Sequence, residues 1–341
     1  MSLSPLILRR IRKFKSNKRG YFSFWIFIMI LIIISMAKFI ANDQPLIVSY
    51  QSKLYFPVFK SYPETVFGGT FETATNYHDP FIKGSIQKQG WIVFPLIPYS
   101  ASTVNYYLSS PAPSPPSGDN WLGTDDQGRD VLARLIYGFQ TSILFGLILT
   151  FMASMIGIFV GAIQGYFGGK VDLIGQRLIE IWGGLPILYL LIILSSMIEP
   201  NFWWLLIIML LFSWMSLVGV VRAEFFRVRT LDYIKAAEGL GVPASRIIWR
   251  HMLPNAMIAG LTYIPFILNG SITMLTSLDF LGFGLPPGSA SLGELLTQAK
   301  NNIQAPWLGL TAFFSIALIL SILIFIGEGV RDSFDSYKNK A

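Results

Sequence analysis

Reactive side chains are scarce in this chain. It has no cysteine and two histidines, His78 and His251, which excludes thiol chemistry, disulfides, His-rich metal sites and most histidine-based catalysis. His78 reads as a surface residue, since no second histidine is near it. The one tight group of carboxylates is Asp125, Asp126 and Asp130 in DDQGRD. That spacing invites calcium, but the twelve-residue frame and closing glutamate of an EF-hand are missing, so turn-making and helix capping is the reading. Glu180 and Glu294 are the other carboxylates a catalytic centre could use, and neither has a nucleophile–base pair beside it. GYFGGKV, at 165–171, comes nearest to a phosphate-binding loop. Its first glycine is at the wrong offset, and Val171 follows the lysine where Ser or Thr should hold magnesium. Gly165, Gly168 and Gly169 read instead as a tight turn. No metal or cofactor is expected in the chain, and ATP with its magnesium would have to be bound by a partner.

These residues are carried by a chain built for the bilayer. Hydrophobic residues make up 53% of its 341 positions and charged residues 13%, with a mean hydropathy of +0.54; that is about half the charge of a soluble domain. The apolar residues gather into runs long enough to span, expected at 21–40, 140–163, 176–198, 202–221, 256–277 and 307–327. The expected class is an all-α polytopic membrane protein with six transmembrane helices. A net charge of +7 would also suit nucleic acid, but the basic residues flank the apolar runs, so topology accounts for them and no nucleic-acid partner is expected.

Seven basic residues, in RRIRKFKSNKR from Arg9 to Arg19, precede the first span. The apolar run after them is longer than a signal-peptide core and lacks a small-residue cleavage site, so 1–20 reads as a basic cytoplasmic arm on an uncleaved span. It can also meet anionic membrane lipid. Lys170 and Arg177 fall between spans two and three, six further cations from Arg222 to Arg250 between spans four and five, and Arg331, Lys338 and Lys340 in the tail. The opposite segments, 199–201 and 278–306, hold only Lys300. Both termini are therefore expected in the cytoplasm, with 336–341 as a cytoplasmic tail.

Residues 41–120 break the pattern with proline, tyrosine, threonine and asparagine. This is an extracytoplasmic insertion of mixed or irregular structure, too aromatic to be disordered, with strands expected at Leu46–Tyr50 and Trp91–Leu96. The core then runs from 121 to 335. At its start, Asp130 is expected to begin a short amphipathic helix with Leu132, Leu135 and Ile136 on one side.

The loop 223–255 is polar and basic between two spans. Within it LDYIKAAEGLGVPASRIIWRHMLPN, Leu231 to Asn255, reads as two short helices. Thr230 or Asp232 can cap the first, and Gly241 suits a left-handed end. Pro243 fits the start of the second, and Pro254 should end or bend it at Leu253. Ile234, Ala237 and Leu240 recur on one side of the first helix; Ile247, Ile248 and Met252 share a side of the second. Small residues at Ala236, Ala237 and Gly241 would let another protein's backbone approach closely.

Inside the spans, Pro186 and Pro265 each free a backbone carbonyl, making a kink or an unwound point. Asn269, Ser271, Thr273, Thr276 and Ser277 give the fifth span a polar side, suited to a hydrated path or to interhelical hydrogen bonds. Glu180 is expected to pair with Arg177, three residues back. DFLGFGLPPGSASLGELL, from Asp279, cannot be a regular span and could form a gate or a re-entrant loop with Asp279, Gly282, Gly284, Pro286 and Pro287.

Three of these elements resemble, in order, parts of the C-type permeases of dipeptide and oligopeptide ABC importers. Leu-Gly-Thr-Asp with Gly-Arg-Asp, at 122–130, is similar to the element before their second span. Lys235, Ala236, Ala237, Gly241, Leu253 and Pro254 fall on the spacing of their coupling loop, with Lys235 in place of its glutamate and His251 in place of its isoleucine. FLGFGLPP, at 280–287, resembles their Phe-Leu-Gly-x-Gly-x-Pro-Pro element. The long insertion looks like that of the Yej-type permeases of Gram-negative inner membranes.

The resemblance implies a type I importer permease fold and alternating access. It implies a second permease subunit as partner, a cytoplasmic ABC ATPase seated on the coupling loop from Asp232 to Pro254, and a periplasmic binding protein delivering peptide, including peptide-nucleotides of the microcin C kind. The competing readings are a membrane enzyme with a catalytic insertion and an ATPase-independent channel. Copurification with a nucleotide-binding subunit separates them.

Overall fold

A computed structural model describes residues 5–199 and 201–334; the expected tail at 336–341 lies outside them. In chain order its elements begin with α1 (Pro5–Ser16), α2 (Lys18–Ser35) and α3 (Ala37–Ile40). The insertion supplies β1 (Ile47–Tyr50), β2 (Lys53–Tyr55), α4 (Pro80–Gln89) and β3 (Gly90–Val93). There follow α5 (Val131–Phe167), α6 (Gly169–Gly183), α7 (Ile187–Met197), α8 (Phe202–Ser213), α9 (Met215–Arg229), α10 (Asp232–Gly239) and α11 (Ala244–Ile247). A π-turn at Ile248–Met252 leads into α12 (Leu253–Phe280), then α13 (Leu292–Asn301) and α14 (Pro306–Phe334).

Among the described residues, five helices are long and apolar enough to cross a membrane. The third expected span, 176–198, is not one helix: α6 and α7 are bent by 64°. The cause lies in Gly183, Gly184, Leu185 and Pro186. Gly184 caps α6 at its C-terminus, and Pro186 takes an extended conformation as N-cap of α7. Pro265, by contrast, lies inside an unbroken α12. The short helix expected at Asp130 is also corrected: α5 continues for 37 residues from Val131. Gly165 belongs to its last turns, and the left-handed turn is made by Gly168 and Gly169 alone.

The chain forms two compact units, taken separately. One comprises Ile28–Ser142 and Pro287–Ile316. Its sheet has the order β2-β1-β3, antiparallel throughout, with Val48 opposite Tyr55 and Ile92. Aromatic content explains why this polar stretch folds. Phe67 is fully buried, with the rings of Tyr50, Tyr55, Tyr62 and Tyr77 edge-on to it at 5.7, 5.2, 6.3 and 5.6 Å, a geometry favoured by ring quadrupoles. Asp79 caps α4, accepting from the Phe81 and Ile82 amides, with Pro80 at its start. His78 is not a simple surface residue. It is half-buried and stacked on Tyr99 at 5.4 Å, and burial lowers its pKa.

The other unit comprises the N-terminal arm through Phe27, Ile143–Pro286 and the chain from Ala317. A close seam within it joins α5 to α9. A side chain added at Gly157, Gly161 or Gly165 would lie 2.6, 2.8 or 2.9 Å from the carbonyl oxygens of Trp214, Val218 and Arg222. Glycines four apart on one helix thus bring two backbones into direct contact, the usual small-residue solution where lipid gives no hydrophobic drive.

Candidate functional site

The 231–254 segment is anchored from beneath and bare on top. Ile234, Ile247, Met252 and Leu253 are buried in one cluster with Leu217, Val221, Phe225 and Val228 of α9 and Ala162 of α5. The segment therefore rests on the α5–α9 pair that the glycine seam holds together. Asp232, Lys235, Ala236, Gly241 and Pro254 are exposed, and Ala237 and His251 are half-exposed. Leu240 departs from the expected pattern: it is 83% exposed and does not share the buried side with Ile234.

Neither expected cap forms. The N-cap of α10 is Leu231, without a side-chain bond, and the Thr230 hydroxyl donates to the Arg227 carbonyl instead. Asp232 lies in the first turn, where a carboxylate suits the positive end of the helix dipole. Gly241 has φ +73°, and nothing lies within 4 Å of where its Cβ would be. Pro254 neither ends nor breaks the path into α12. The π-turn changes the hydrogen-bond register first, so the proline falls in the first turn of α12, where its missing N–H costs least.

A residue unmarked by any motif fixes the base of α9. Arg222 makes a two-pronged ion pair with Asp172 of α6 through Nε to Oδ1 and, at 2.6 Å, Nη2 to Oδ2. The signal available in sequence was only the positive-inside bias. The expected pair of Arg177 with Glu180 is present at 2.6 Å, on the exposed face of α6.

A cleft of about 400 Å³ opens between α8–α9 and α12. Tyr263, Ile267, Gly270, Ser271 and Met274 line it from one stripe of α12, facing Met209, Ser213 and Ser216. Ser271 was expected on a polar side; Ser213, Ser216 and Tyr263 were missed. Asn269 and Thr273 point elsewhere. Asn269 Nδ2 donates to the Leu320 carbonyl of α14 at 2.9 Å, and the Thr273 and Ser277 hydroxyls donate to carbonyls four residues back. Pro265 and Pro186 do not line this cleft.

After α12, Gly282 has φ +82°. The Leu285 amide donates to Asp279 Oδ1 at 2.7 Å, and a Cβ on Gly284 would fall 2.6 Å from Asp279 Cα. Gly284 is required here by close approach. Phe283 and Leu285 pack on the cluster of Leu205, Leu275 and Leu278.

In the other unit Asp125 forms a buried ionic centre and Asp130 is buried as well, while Asp126 is exposed. Asp125 Oδ1 accepts from the Gln127 and Arg129 amides at 2.9 and 2.8 Å, and Oδ2 lies 2.6 Å from Arg129 Nε and 3.2 Å from Arg134 Nε. Asp130 caps α5, accepting from the Ala133 amide at 2.7 Å, and also from Asn120 Nδ2 at 2.8 Å. Both arginines also donate to the Gly288 carbonyl, and Arg134 Nη2 donates to that of Ser289 at 3.0 Å. Burial raises the pKa of Asp130, which precedes α5. Pro287 begins this unit's share of the 279–296 segment. Among the described residues no group of His, Cys, Asp and Glu could hold a metal.

A membrane-spanning helical bundle with a built, exposed loop and a small-residue helix seam matches a known class. The chain belongs to the binding-protein-dependent transport system inner membrane components, whose family model matches residues 153–337. It is 58% identical over 336 residues to the inner membrane ABC transporter permease protein YejE of Escherichia coli K12, covering 98% of each chain. It is 52% identical to the peptidoglycan transport system permease protein YejE of Agrobacterium fabrum, covering 98% of this chain and 94% of that one. The oligopeptide transport system permease protein OppC of Haemophilus influenzae is 32% identical over 239 residues. The chain is thus a multi-pass inner-membrane permease subunit of an ABC importer and not an enzyme.

Proposed function

We propose that this permease pairs with a second, different permease subunit to move oligopeptides from a periplasmic binding protein to the cytoplasm, driven by an ABC ATPase seated on residues 231–254. ATP and magnesium are held by that ATPase. Both termini lie in the cytoplasm, as the distribution of Lys and Arg supports. The observation that carries this reading is the two-sided build of the segment: Ile234, Ile247, Met252 and Leu253 plug into α9 and α5, and Asp232, Lys235, Ala236 and Gly241 stand free above them. Motion imposed on the outer face reaches the spans through that plug, and the cleft between α8–α9 and α12 opens to one side or the other. A place for the second permease is supported by α6, which has no buried residue and exposes Leu173, Ile174, Leu178 and Ile181. The peptide substrate is supported by the names of the relatives, one of which transports peptidoglycan. Peptide-nucleotides of the microcin C kind would belong to the same class.

Gly241→Leu tests the reading. The left-handed φ costs about 1–2 kcal/mol for a side chain with a Cβ, while the open surroundings leave the fold intact. The variant is expected to assemble as a permease and either lose the ATPase on copurification or hydrolyse ATP without uptake in proteoliposomes. Wild-type uptake with the ATPase retained would refute the assignment.

A further inference from the structure

The amphipathic arm does more than orient the first span. α1 carries Arg9, Arg10, Arg12, Lys13 and Lys15 in twelve residues, yet Ile7, Leu8 and Ile11 are 42%, 48% and 41% exposed. A cleft of about 550 Å³ lies between α1, the start of α2 and the end of α14. Its walls are apolar: Phe24 and Trp25 on α2 face Ile326 and Val330 on α14. Among the described residues lining it, the charges are Arg10 and Lys15 only.

The walls are held by specific contacts. Gly20 and Gly329 touch so closely that a Cβ on Gly20 would lie 3.0 Å from Gly329 Cα. Asn17 Nδ2 donates to Asp332 at 3.1 Å, so that carboxylate is turned to Asn17, and Glu328 is exposed and does not line the cleft. The Arg10 guanidinium sits 4.5 Å over the Phe334 ring, which fixes a cation at the rim.

We propose that this cleft is a binding site for one acidic phospholipid, with an acyl chain between α2 and α14 and the phosphate headgroup between Arg10 and Lys15. Charge complementarity selects the occupant. An apolar slot at a helix–bilayer boundary takes hydrocarbon, and a rim bearing two cations with no lining anion prefers a lipid of net negative charge.

The test uses the assembled importer in nanodiscs of phosphatidylcholine containing brominated phosphatidylglycerol, or brominated phosphatidylcholine at the same fraction. The difference between wild type and Trp25→Phe isolates the quenching of Trp25 from that of the other eight among nine tryptophans. Brominated phosphatidylglycerol should quench Trp25 at much lower mole fraction than brominated phosphatidylcholine. In Arg10→Gln/Lys15→Gln that preference should fall roughly 30-fold, about tenfold being lost per 1.4 kcal/mol and each surface cation contributing about 1 kcal/mol. Arg9→Gln/Arg12→Gln, whose cations do not line the cleft, should keep most of it. Equal quenching by the two lipids in wild type overturns the proposal, as does an equal loss in both double variants, which would mean diffuse attraction to the arm. Quenching that appears only after the second permease is removed would show that protein fills the cleft, and would also overturn it.

Discussion

Two polar regions of this permease are built in opposite ways. At 125–134 the charges are inside: Asp125 and Arg134 have fully buried side chains, and Arg134 donates to the carbonyls of Gly288 and Ser289. At 231–254 the inside is wholly apolar, and the polar groups stand in solvent. Buried charges tolerate little displacement, because any movement leaves them unpaired in a medium that solvates them poorly. Such a centre fixes one geometry. An apolar plug is indifferent to small rotations, since dispersion and burial are non-directional. The segment proposed to transmit motion is therefore attached by the forgiving kind of contact.

Arginine truncation breaks this comparison most sharply at Arg134. Removing it strips Asp125 of one partner and takes a donor from the carbonyls of Ala101 and Ser289, while Gly288 keeps Arg129, so Arg134→Ala is expected to cost about 3–5 kcal/mol. The check is the thermal midpoint of the purified permease in detergent, or the loss of folded protein altogether. An unchanged midpoint would mean the ionic centre does not hold this region.

Two glycines sharpen the same contrast at smaller scale. Gly284→Ala forces a Cβ against Asp279, where backbone must move, and should cost about 1–3 kcal/mol. Gly241→Ala meets nothing and bears only the left-handed φ, about 1 kcal/mol. Thermal midpoints should fall in that order, with the Gly241 variant still binding its membrane partner. Arg222→Ala comes next: its pair with Asp172 is partly screened, with side chains 29% and 15% exposed, so a loss of about 1 kcal/mol is expected. Its readout is a lower midpoint together with weaker ATPase retention, because α9 supports the 231–254 plug.

The sequence made some of this legible and hid the rest for physical reasons. Gly241 and Asp130 were readable because a left-handed helix end and an N-cap are local demands on one residue type. Five of the six expected spans were readable from hydropathy as single helices. Arg134 was opaque because its partners at Ser289 are backbone atoms 155 residues away, and a carbonyl has no sequence signature. The seam of Gly157, Gly161 and Gly165 was missed since each glycine is unremarkable in a membrane helix until a partner backbone is placed against it. Pro186 and Pro265 looked equivalent. The two glycines before Leu185 and Pro186 let the chain turn there, whereas nothing beside Pro265 opposes helix.

The smallest effect is the most instructive. Arg177 and Glu180 pair at 2.6 Å with side chains 71% and 57% exposed, on a helix that buries no side chain of its own. In solvent or headgroups such a pair is worth about 0–0.5 kcal/mol, so Arg177→Ala should leave the midpoint of the isolated subunit unchanged. If a second permease covers the exposed apolar face of α6, the same pair becomes desolvated in the assembly. Truncating one partner would then destabilise the complex by about 3–5 kcal/mol while sparing the monomer. Melting both preparations separates these outcomes: a shift in the complex alone places α6 in the subunit interface, and no shift in either leaves that face to lipid.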